Sequence, residues 1–447
     1  MSRDNVFQMS FNKTAPNSES NASSGVEHRV VSPTTSPADT VPRNFLVLML
    51  YQIVMRIGWI FKTESIVMPA VLDSIGGPSW LRGCLPLLNR FGHSIPPVLF
   101  ARRLSNIPLK KRALATLTLI MSFSFLALAL LWWFAAGHTY PWMPIVFLAL
   151  YALFFASTGL NQQTLGTIQG KLIHVKHRGR MLLCANLLGA LSAITVAWFL
   201  LEHWLSADVV RIDCIFGFSG LCFGLAAFSA LLLAEQTDQE QEQLAQPNRP
   251  FREAWLTLCH DANFRHLATI AALFGTSIML FPHYQALARE RLGLSMPEII
   301  QWIIVQNIGT AFCSLALGPL ADWRGYRAVL RISLLVIAAI PLVALGFANS
   351  SQYGRSGFPL VFLFLGLTPV TFKVFSNYTL EICSRQQHPL YLGTLSLCLA
   401  APALASPLVG ALVDWLDFEI VFLAIAILLF GAWILTWTLG EPREDAM

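Results

Sequence analysis

The sequence contains few charged residues. Of its 447 residues only 12% are Asp, Glu, Lys or Arg, whereas 55% are hydrophobic, and the mean hydropathy is +0.58. A soluble domain carries roughly twice that share of charge. The deficit argues against a soluble fold and predicts a polytopic membrane protein of the all-α class, with room for about 12 helices of roughly 20 residues.

Paired cysteines and catalytic motifs are also missing. The eight cysteines are scattered and no C-x-x-C pair occurs, so neither a zinc site nor a disulfide framework is indicated. There is no H-E-x-x-H and no G-x-S-x-G, and the Gly-rich stretch 166–171 is one residue short of a phosphate-binding loop. We therefore predict a protein that is not an enzyme, uses no ATP and binds no metal, cofactor or nucleic acid.

Twelve apolar stretches are long enough to cross a bilayer. The predicted spans are 44–70, 80–101, 113–136, 143–168, 181–203, 212–233, 264–287, 298–320, 328–348, 357–382, 390–413 and 418–439. The polar linker between the sixth and seventh spans divides them into two sets of six. We expect a disordered cytoplasmic tail at 1–43, a first bundle at 44–233, a linker at 234–263, a second bundle at 264–440 and a cytoplasmic tail at 441–447. Within the linker, Phe251 to His266 is expected to form an amphipathic helix on the membrane surface.

Basic residues follow alternate spans, which predicts orientation because Lys and Arg accumulate in cytoplasmic loops. They lie after spans two, four, eight and ten: Arg102, Arg103, Lys110, Lys111, Arg112, Lys171, Lys176, Arg178, Arg180, Arg324, Arg327, Arg331 and Arg385. The loops after spans three and eleven have none. The pattern predicts a multi-pass protein of the plasma (inner) membrane with both termini in the cytoplasm. Arg289 and Arg291, after span seven, fit it least well.

One loop carries a specific motif. Between spans eight and nine the sequence reads Gly-Pro-Leu-Ala-Asp-Trp-Arg-Gly-Tyr-Arg, from Gly318 to Arg327. It resembles the G-x-L-A-D-x-x-G-x-R motif after the eighth helix of major facilitator superfamily transporters. The matching residues are Gly318, Leu320, Ala321, Asp322, Gly325 and Arg327. We expect Asp322 to bind the neighbouring arginines, Arg324 among them, and so to latch the cytoplasmic end.

The resemblance implies a fold and a mechanism. In that superfamily two pseudo-symmetric six-helix bundles rock about a site near the membrane midplane, and spans one, four, seven and ten line the cavity. We expect such a carrier to be monomeric. The corresponding stretch of the first half, Phe100 to Arg103, has an arginine in place of the aspartate, so the latch in that half is expected to differ.

Several ionisable residues lie inside predicted spans, where they indicate function because an isolated charge in lipid is costly. Arg56, Arg90 and Lys373 are near the middle of spans one, two and ten. With the polar side chains of spans four and ten they form the predicted substrate site: Arg56, Arg90, Gln162, Gln163, Lys373 and Asn377. Cations outnumber acids at this depth, so the predicted solute is a small organic anion.

Other interpretations of these residues stay open. Arg56 or Arg90 could instead pair with Glu64 and hold the first two spans together, and Gln162, Gln163 and Asn377 could be interhelical hydrogen-bonding groups. Glu64 and His93 are candidates for proton coupling. The whole chain could also be an efflux carrier for amphipathic compounds, or a transporter-like sensor that binds a ligand without moving it.

Overall fold

The computed structural model describes residues 37–76, 78–135, 137–205, 210–237, 250–384 and 387–440. Its regular elements in these ranges are helices, as predicted. They are α1 (Pro37–Ile60), α2 (Val67–Ser74), α3 (Ser79–Ser105), α4 (Lys110–Ala135), α5 (Met143–Leu172), α6 (Val175–Leu205), α7 (Ile212–Leu231), α8 (Pro250–His260), α9 (Ala262–Met279), α10 (Phe281–Leu292), α11 (Met296–Ala348), α12 (Gly354–Gly357), α13 (Pro359–Leu365), α14 (Thr368–Ile382), α15 (His388–Ala400) and α16 (Ser406–Leu435). Short 3-10 segments, Ala401–Ala405 and Thr436–Thr438, precede and follow α16.

Several predicted spans are not single continuous helices. The first, 44–70, breaks after Ile60, where the backbone turns and the Thr63 carbonyl accepts the N–H of Val67 at 2.9 Å. The seventh breaks at Leu280, the tenth at residues 366–367 and the eleventh at the 3-10 segment. In each of the segments that follow these last three breaks the second residue is a proline: Pro282, Pro369 and Pro402. Proline lacks an N–H and fits the first turn of a helix, so each one favours a fresh start there.

The motif loop is a sharp turn inside α11. Gly325 has φ 77° and ψ 167°, whereas the residues on either side are helical. A positive φ favours glycine because it has no Cβ to clash with the backbone. The turn divides α11 into the predicted eighth and ninth spans.

The linker helix is shorter than predicted. The amphipathic stretch Phe251 to His266 was expected to be one helix, but α8 ends at His260. Asp261 then caps α9, and its side chain accepts the Phe264 N–H at 2.9 Å. An aspartate that accepts hydrogen bonds from the first turn is a strong helix start. Phe251 and Trp255 of α8 are exposed, by 49% and 67%.

The helices form two packed groups. In the first half α1 packs against α6 and α7, and α4 against α5 and α7; in the second α11 packs against α13, α14 and α16, and α9 against α15 and α16. Contacts between the halves run from α3 to α15 and α16, and from α6 to α11. This two-half arrangement is the one predicted.

The outer surface of the bundle suits a membrane. Nine stretches of the described chain are long and apolar enough to cross one, the last of them including both α15 and α16. Large apolar side chains point outward, such as Phe134, Phe199 and Trp415, which are 74%, 69% and 80% exposed. The first two predicted spans, α1 and α3, are not among the nine, and they carry the buried charges described below.

Helix ends gather at two ends of the bundle. The end that holds the start of α1, α8 and the Gly325 turn is called the terminal end here. The opposite end holds α2, the 137–142 turn, α10 and Asp417, which lies at φ 70° where the chain reverses within α16. It is called the distal end.

Candidate functional site

An ion-pair cluster joins the two halves at the distal end. Asp73 of α2 lies 3.1 Å from Nε of Arg82, in the same half. From the other half it accepts a hydrogen bond from Gln285 Nε2 at 2.9 Å and lies 3.3 Å from Nη1 of Arg289. The Asp73 side chain is only 7% exposed. Buried carboxylates that are paired in this way resist separation, because opening leaves charges without partners.

Close helix packing reinforces this cluster. A Cβ on Gly83 would meet the Ser406 carbonyl oxygen at 2.2 Å, and one on Gly410 would meet the Ser79 carbonyl oxygen at 2.4 Å. Only glycine permits α3 and α16 to approach so closely. The halves are therefore in tight contact at the distal end.

This cluster explains the weakest point of the orientation pattern. Arg289 pairs with Asp73, and Arg291 donates to both Asp417 and Glu419, at 2.9 Å and 3.0 Å. Both arginines therefore bind acidic side chains, which gives them a structural role at this end. Sequence reasoning missed the cluster, although the misplaced Arg289 and Arg291 were the indication that could have revealed it.

A second polar cluster lies inside the first half. Asn89 of α3 donates a hydrogen bond to Glu64 Oε2, and the other oxygen of Glu64 is buried with no hydrogen-bond partner among the described residues. Lys62 Nζ lies 3.6 Å from the ring centroid of Trp59 and 4.2 Å from that of Phe155. Aromatic faces stabilise a cation that has lost its water. Lys62 and Glu64 are both almost fully buried, 3% and 8% exposed.

His93 is held by both ring nitrogens. Nδ1 lies 2.9 Å from the Asn89 carbonyl oxygen and Nε2 lies 3.3 Å from Gln162 Nε2. A neutral imidazole satisfies both contacts if Nδ1–H donates and Nε2 accepts. The arrangement places His93 beside the predicted site residue Gln162, as a positioning group.

Arg90 reaches across to the other half. Its guanidinium lies 3.9 Å from the ring centroid of Phe372 on α14, and its Nε is buried without a hydrogen-bond partner in the described chain. The negative charge of Glu64 attracts the Arg90 guanidinium. No carboxylate in the described residues, however, lies within ion-pair distance of Arg90. The alternative in which Arg90 or Arg56 forms a salt bridge with Glu64 is therefore not what the geometry shows; Asn89 makes that contact instead.

Arg56 and Lys373 belong to different halves of the molecule. Arg56 is half-buried on α1 and Lys373 is exposed on α14, in the middle of its span. Their charges repel each other, and neither has a hydrogen bond or an ion pair with any residue that the structure describes. Cations with no acid beside them attract anions.

The remaining predicted site residues differ in how far they are exposed. Gln162 is exposed, Asn377 is half-buried, and Gln163 has a buried Oε1 without a partner in the described residues. Their neighbour Asn161 has a structural role instead: it donates to Tyr51 Oη at 2.9 Å and to Thr118 Oγ1 at 2.8 Å. The structure thus places Arg56, Lys373, Gln162 and Asn377 in accessible positions and Arg90 nearer Glu64.

The motif loop is only partly defined. The Asp322 side chain lies outside the described residues, so the predicted latch around it stays a prediction. Arg324 lies over the Trp323 ring, 4.5 Å from its centroid, and Arg327 donates to the Leu439 carbonyl at 3.3 Å. The latter contact ties the turn to the end of the last helix. Gly318 has open space around its Cβ position.

The described chain is thus a helical bundle of two packed halves, with helices long and apolar enough to cross a membrane. The family model described as Major Facilitator Superfamily matches residues 279–446 of this chain. No curated protein sequence matches the chain.

Solved structures extend the likeness to both halves. The nucleoside transporter NupG has a TM-score of 0.69 at 12% identity, over 88% of this chain and 99% of NupG. A POT family transporter in complex with 5-aminolevulinic acid has 0.67 at 11%, over 89% of this chain and 95% of that one. The human organic anion transporter MFSD10 has 0.56 at 14%, over 88% of this chain and 99% of that one. The predicted resemblance is confirmed: the chain has the major facilitator transporter fold, and its C-terminal half carries the superfamily's sequence pattern.

Proposed function

We propose that the protein is a secondary carrier for a small organic anion, which it binds between its halves near the membrane midplane. The observation that supports this most directly is that each half carries a cation inside a predicted span, Arg56 and Lys373, without an acidic partner in the described chain. Isolated charges at this depth are retained when they serve a ligand or a conducting path.

The surroundings supply further contacts for such an anion. Gln162 and Asn377 present amide groups on α5 and α14, the helices that correspond to spans four and ten. The Phe372 ring, which Arg90 covers, adds an apolar face next to Lys373. Carboxylates bind well where a cation and amide N–H donors converge. The protein would move this anion by rocker-switch alternating access, with the terminal end in the cytoplasm.

The experiment is uptake into proteoliposomes that contain the purified protein. We would measure labelled succinate, lactate and inorganic phosphate separately. Lys373→Met should reduce uptake of the accepted anion at least tenfold, because it removes one of the two cations, while leaving detergent-solubilised protein folded by gel filtration. Arg355→Gln is the matched control, since Arg355 is 64% exposed at the distal end and pairs only with Glu298, at 3.5 Å, in the described chain. Anion uptake by the Arg355→Gln variant should be unchanged.

The two alternatives make different predictions in the same assay. An efflux carrier for amphipathic compounds would transport a labelled hydrophobic cation and none of the three anions. A sensor would bind a solute without flux through either variant. Anion uptake that persists in Lys373→Met would show that the site is elsewhere.

A further inference from the structure

A cleft at the terminal end lies apart from the predicted substrate site, since none of the predicted site residues lines it. It has a volume of about 630 Å³ and is formed where α8, α9 and α15 meet. Polar side chains from these helices and their caps line it: Thr257, His260, Asp261, Asn263, Gln387 and Tyr391. A polar cleft of this size can hold a small molecule or a headgroup.

Asp261 is the acidic group of this cleft. Its Oδ1 accepts the Phe264 N–H at 2.9 Å, and its Oδ2 accepts a hydrogen bond from Tyr391 Oη at 2.8 Å. Both donors are neutral, and no cation in the described chain lies within ion-pair distance of this half-buried carboxylate. Arg265, one turn further on, donates instead to two carbonyls of α8, at 3.3 Å and 3.1 Å. The Asp261 carboxylate would therefore attract a cation into the cleft.

Hydrogen-bond donors are available beside this acid. Asn263 and Gln387 are exposed, and neither side-chain amide donates a hydrogen bond to another residue that the structure describes. The His260 Nδ1 lies 2.7 Å from the Leu256 carbonyl oxygen, so its Nε2 is left for a ligand. Amide N–H groups of this kind bind phosphate oxygens. The cleft therefore suits a ligand that carries an ammonium group close to a phosphate.

The surface beside the cleft is apolar. Leu256, which lines the cleft, is 40% exposed, and Phe251 and Trp255 of the same helix are 49% and 67% exposed. The other face of α8 packs inside the protein, where Ala254 is only 7% exposed. A single residue separates α8 from α9, which begins a candidate membrane span. α8 thus lies at the level where that span leaves the membrane, and exposed aromatic side chains on such a helix favour the lipid interface.

We propose that this cleft binds the headgroup of an amine-bearing phospholipid, of the phosphatidylethanolamine class, from the leaflet at the terminal end. The ammonium group neutralises Asp261, the amides of Asn263 and Gln387 bind the phosphate, and the acyl chains lie along the exposed face of α8. The bound lipid holds together the three helices that meet at the start of the second half. Binding at this cleft does not depend on which solute the protein moves.

Short-chain lipids test the headgroup on the purified full-length protein in detergent. We would titrate dihexanoyl phosphatidylethanolamine, phosphatidylcholine and phosphatidylglycerol separately and follow the melting temperature. The ethanolamine lipid should reach half of its effect at an about tenfold lower concentration, because only its ammonium group donates charged hydrogen bonds to Asp261. Equal concentrations for the three lipids would overturn the proposal.

The free headgroup separates a lipid from a soluble amine. O-phosphoethanolamine has the same ammonium and phosphate groups without acyl chains, so it should act only at a much higher concentration than the ethanolamine lipid. If it acts at the same concentration, the cleft binds a soluble amine and the lipid proposal is wrong.

A substitution removes the charge of the cleft without removing the helix cap. Asparagine accepts an N–H as well as aspartate does, so Asp261→Asn should keep the contact with Phe264 and still fold. The three lipids should then act at similar concentrations. Asp213→Asn, which removes a carboxylate outside the cleft, is the matched control and should keep the preference for ethanolamine. A preference that survives in Asp261→Asn would show that this carboxylate does not bind the amine.

A measurement in a bilayer tests whether the outer face of α8 contacts lipid. Cys259 is an exposed thiol one turn after Trp255, on the same face of the helix. We would label it with the fluorophore NBD in nanodiscs of phosphatidylethanolamine and phosphatidylcholine, and subtract the signal of Cys259→Ser labelled in the same way. Doxyl-labelled lipid should quench the fluorescence, whereas iodide in water should not. Quenching by iodide alone would place α8 in water and would overturn the proposal.

Discussion

Basic side chains are paired with acids in the distal cluster, whereas the two central cations, Arg56 and Lys373, are not. At the distal end Arg82 and Arg289 converge on Asp73, within 3.1 Å and 3.3 Å. Arg56 and Lys373 lie in different halves, and the described chain supplies no acidic partner to either. The contrast indicates that a paired buried charge holds the halves together, whereas an unpaired one leaves a place for a ligand.

The largest expected effect comes from breaking the distal contact by steric means. In Gly83→Leu the new Cβ alone would meet the Ser406 carbonyl oxygen at 2.2 Å, so α3 and α16 could not approach. We expect transport to fall to the background of empty vesicles, because the distal end can no longer close. The matched control is Gly166→Leu, where nothing lies within 4 Å of the Cβ position. Retained transport in Gly83→Leu would mean that this crossing does not need to close.

A smaller effect should follow from removing the charge of the distal acid. Asp73→Asn removes the nearer carboxylate of Arg82, which is 9% exposed, and leaves it only Glu290 at 4.0 Å. Loss of one partner from a buried pair costs about 3–5 kcal/mol. We expect the apparent melting temperature in detergent to fall by several degrees, and labelling of a cysteine introduced at Ser65 to become faster as the distal end opens. Unchanged melting and labelling would show that the cluster is not a closure.

Removing the charge of Lys373 should change stability in the opposite direction from Asp73→Asn. Lys373→Gln removes a charge that Arg56 repels, so the free energy of unfolding should stay the same or rise by up to about 1 kcal/mol, discounted because the Lys373 side chain is exposed. Anion uptake should nevertheless fall. Replacing a binding residue typically lowers function while it raises the stability of the folded protein. A clear fall in melting temperature would indicate that Lys373 has a structural partner.

The smallest effect is expected at an exposed pair of the same chemistry. Arg211 donates to Asp213 at 2.8 Å, but the Arg211 side chain is 52% exposed. Exposed ion pairs contribute about 0–1 kcal/mol, so Asp213→Asn should leave melting temperature and transport within error. If it were as damaging as Asp73→Asn, burial would not be what distinguishes the distal cluster.

Much of the architecture was predictable from local sequence. Apolar run lengths predicted an all-α membrane protein, and the motif around Gly325 predicted the major facilitator transporter fold. Helix breaks were harder to predict. Pro282, Pro369 and Pro402 allow a new helix to start. α1, however, ends at Ile60, and the turn that follows it starts at the Thr63 carbonyl through backbone hydrogen bonds that composition does not reveal.

The amino-acid sequence by itself determined which residues are charged where lipid is expected, because hydropathy depends only on the side chains in each span. Which of those charges are paired was decided by the tertiary structure. Asp73 and Arg289 are 216 residues apart, and only the packing of one half on the other brings them together. The same packing separates Arg56 and Lys373 from every acid in the described chain, and for that reason the site could be proposed from the sequence but not defined by it.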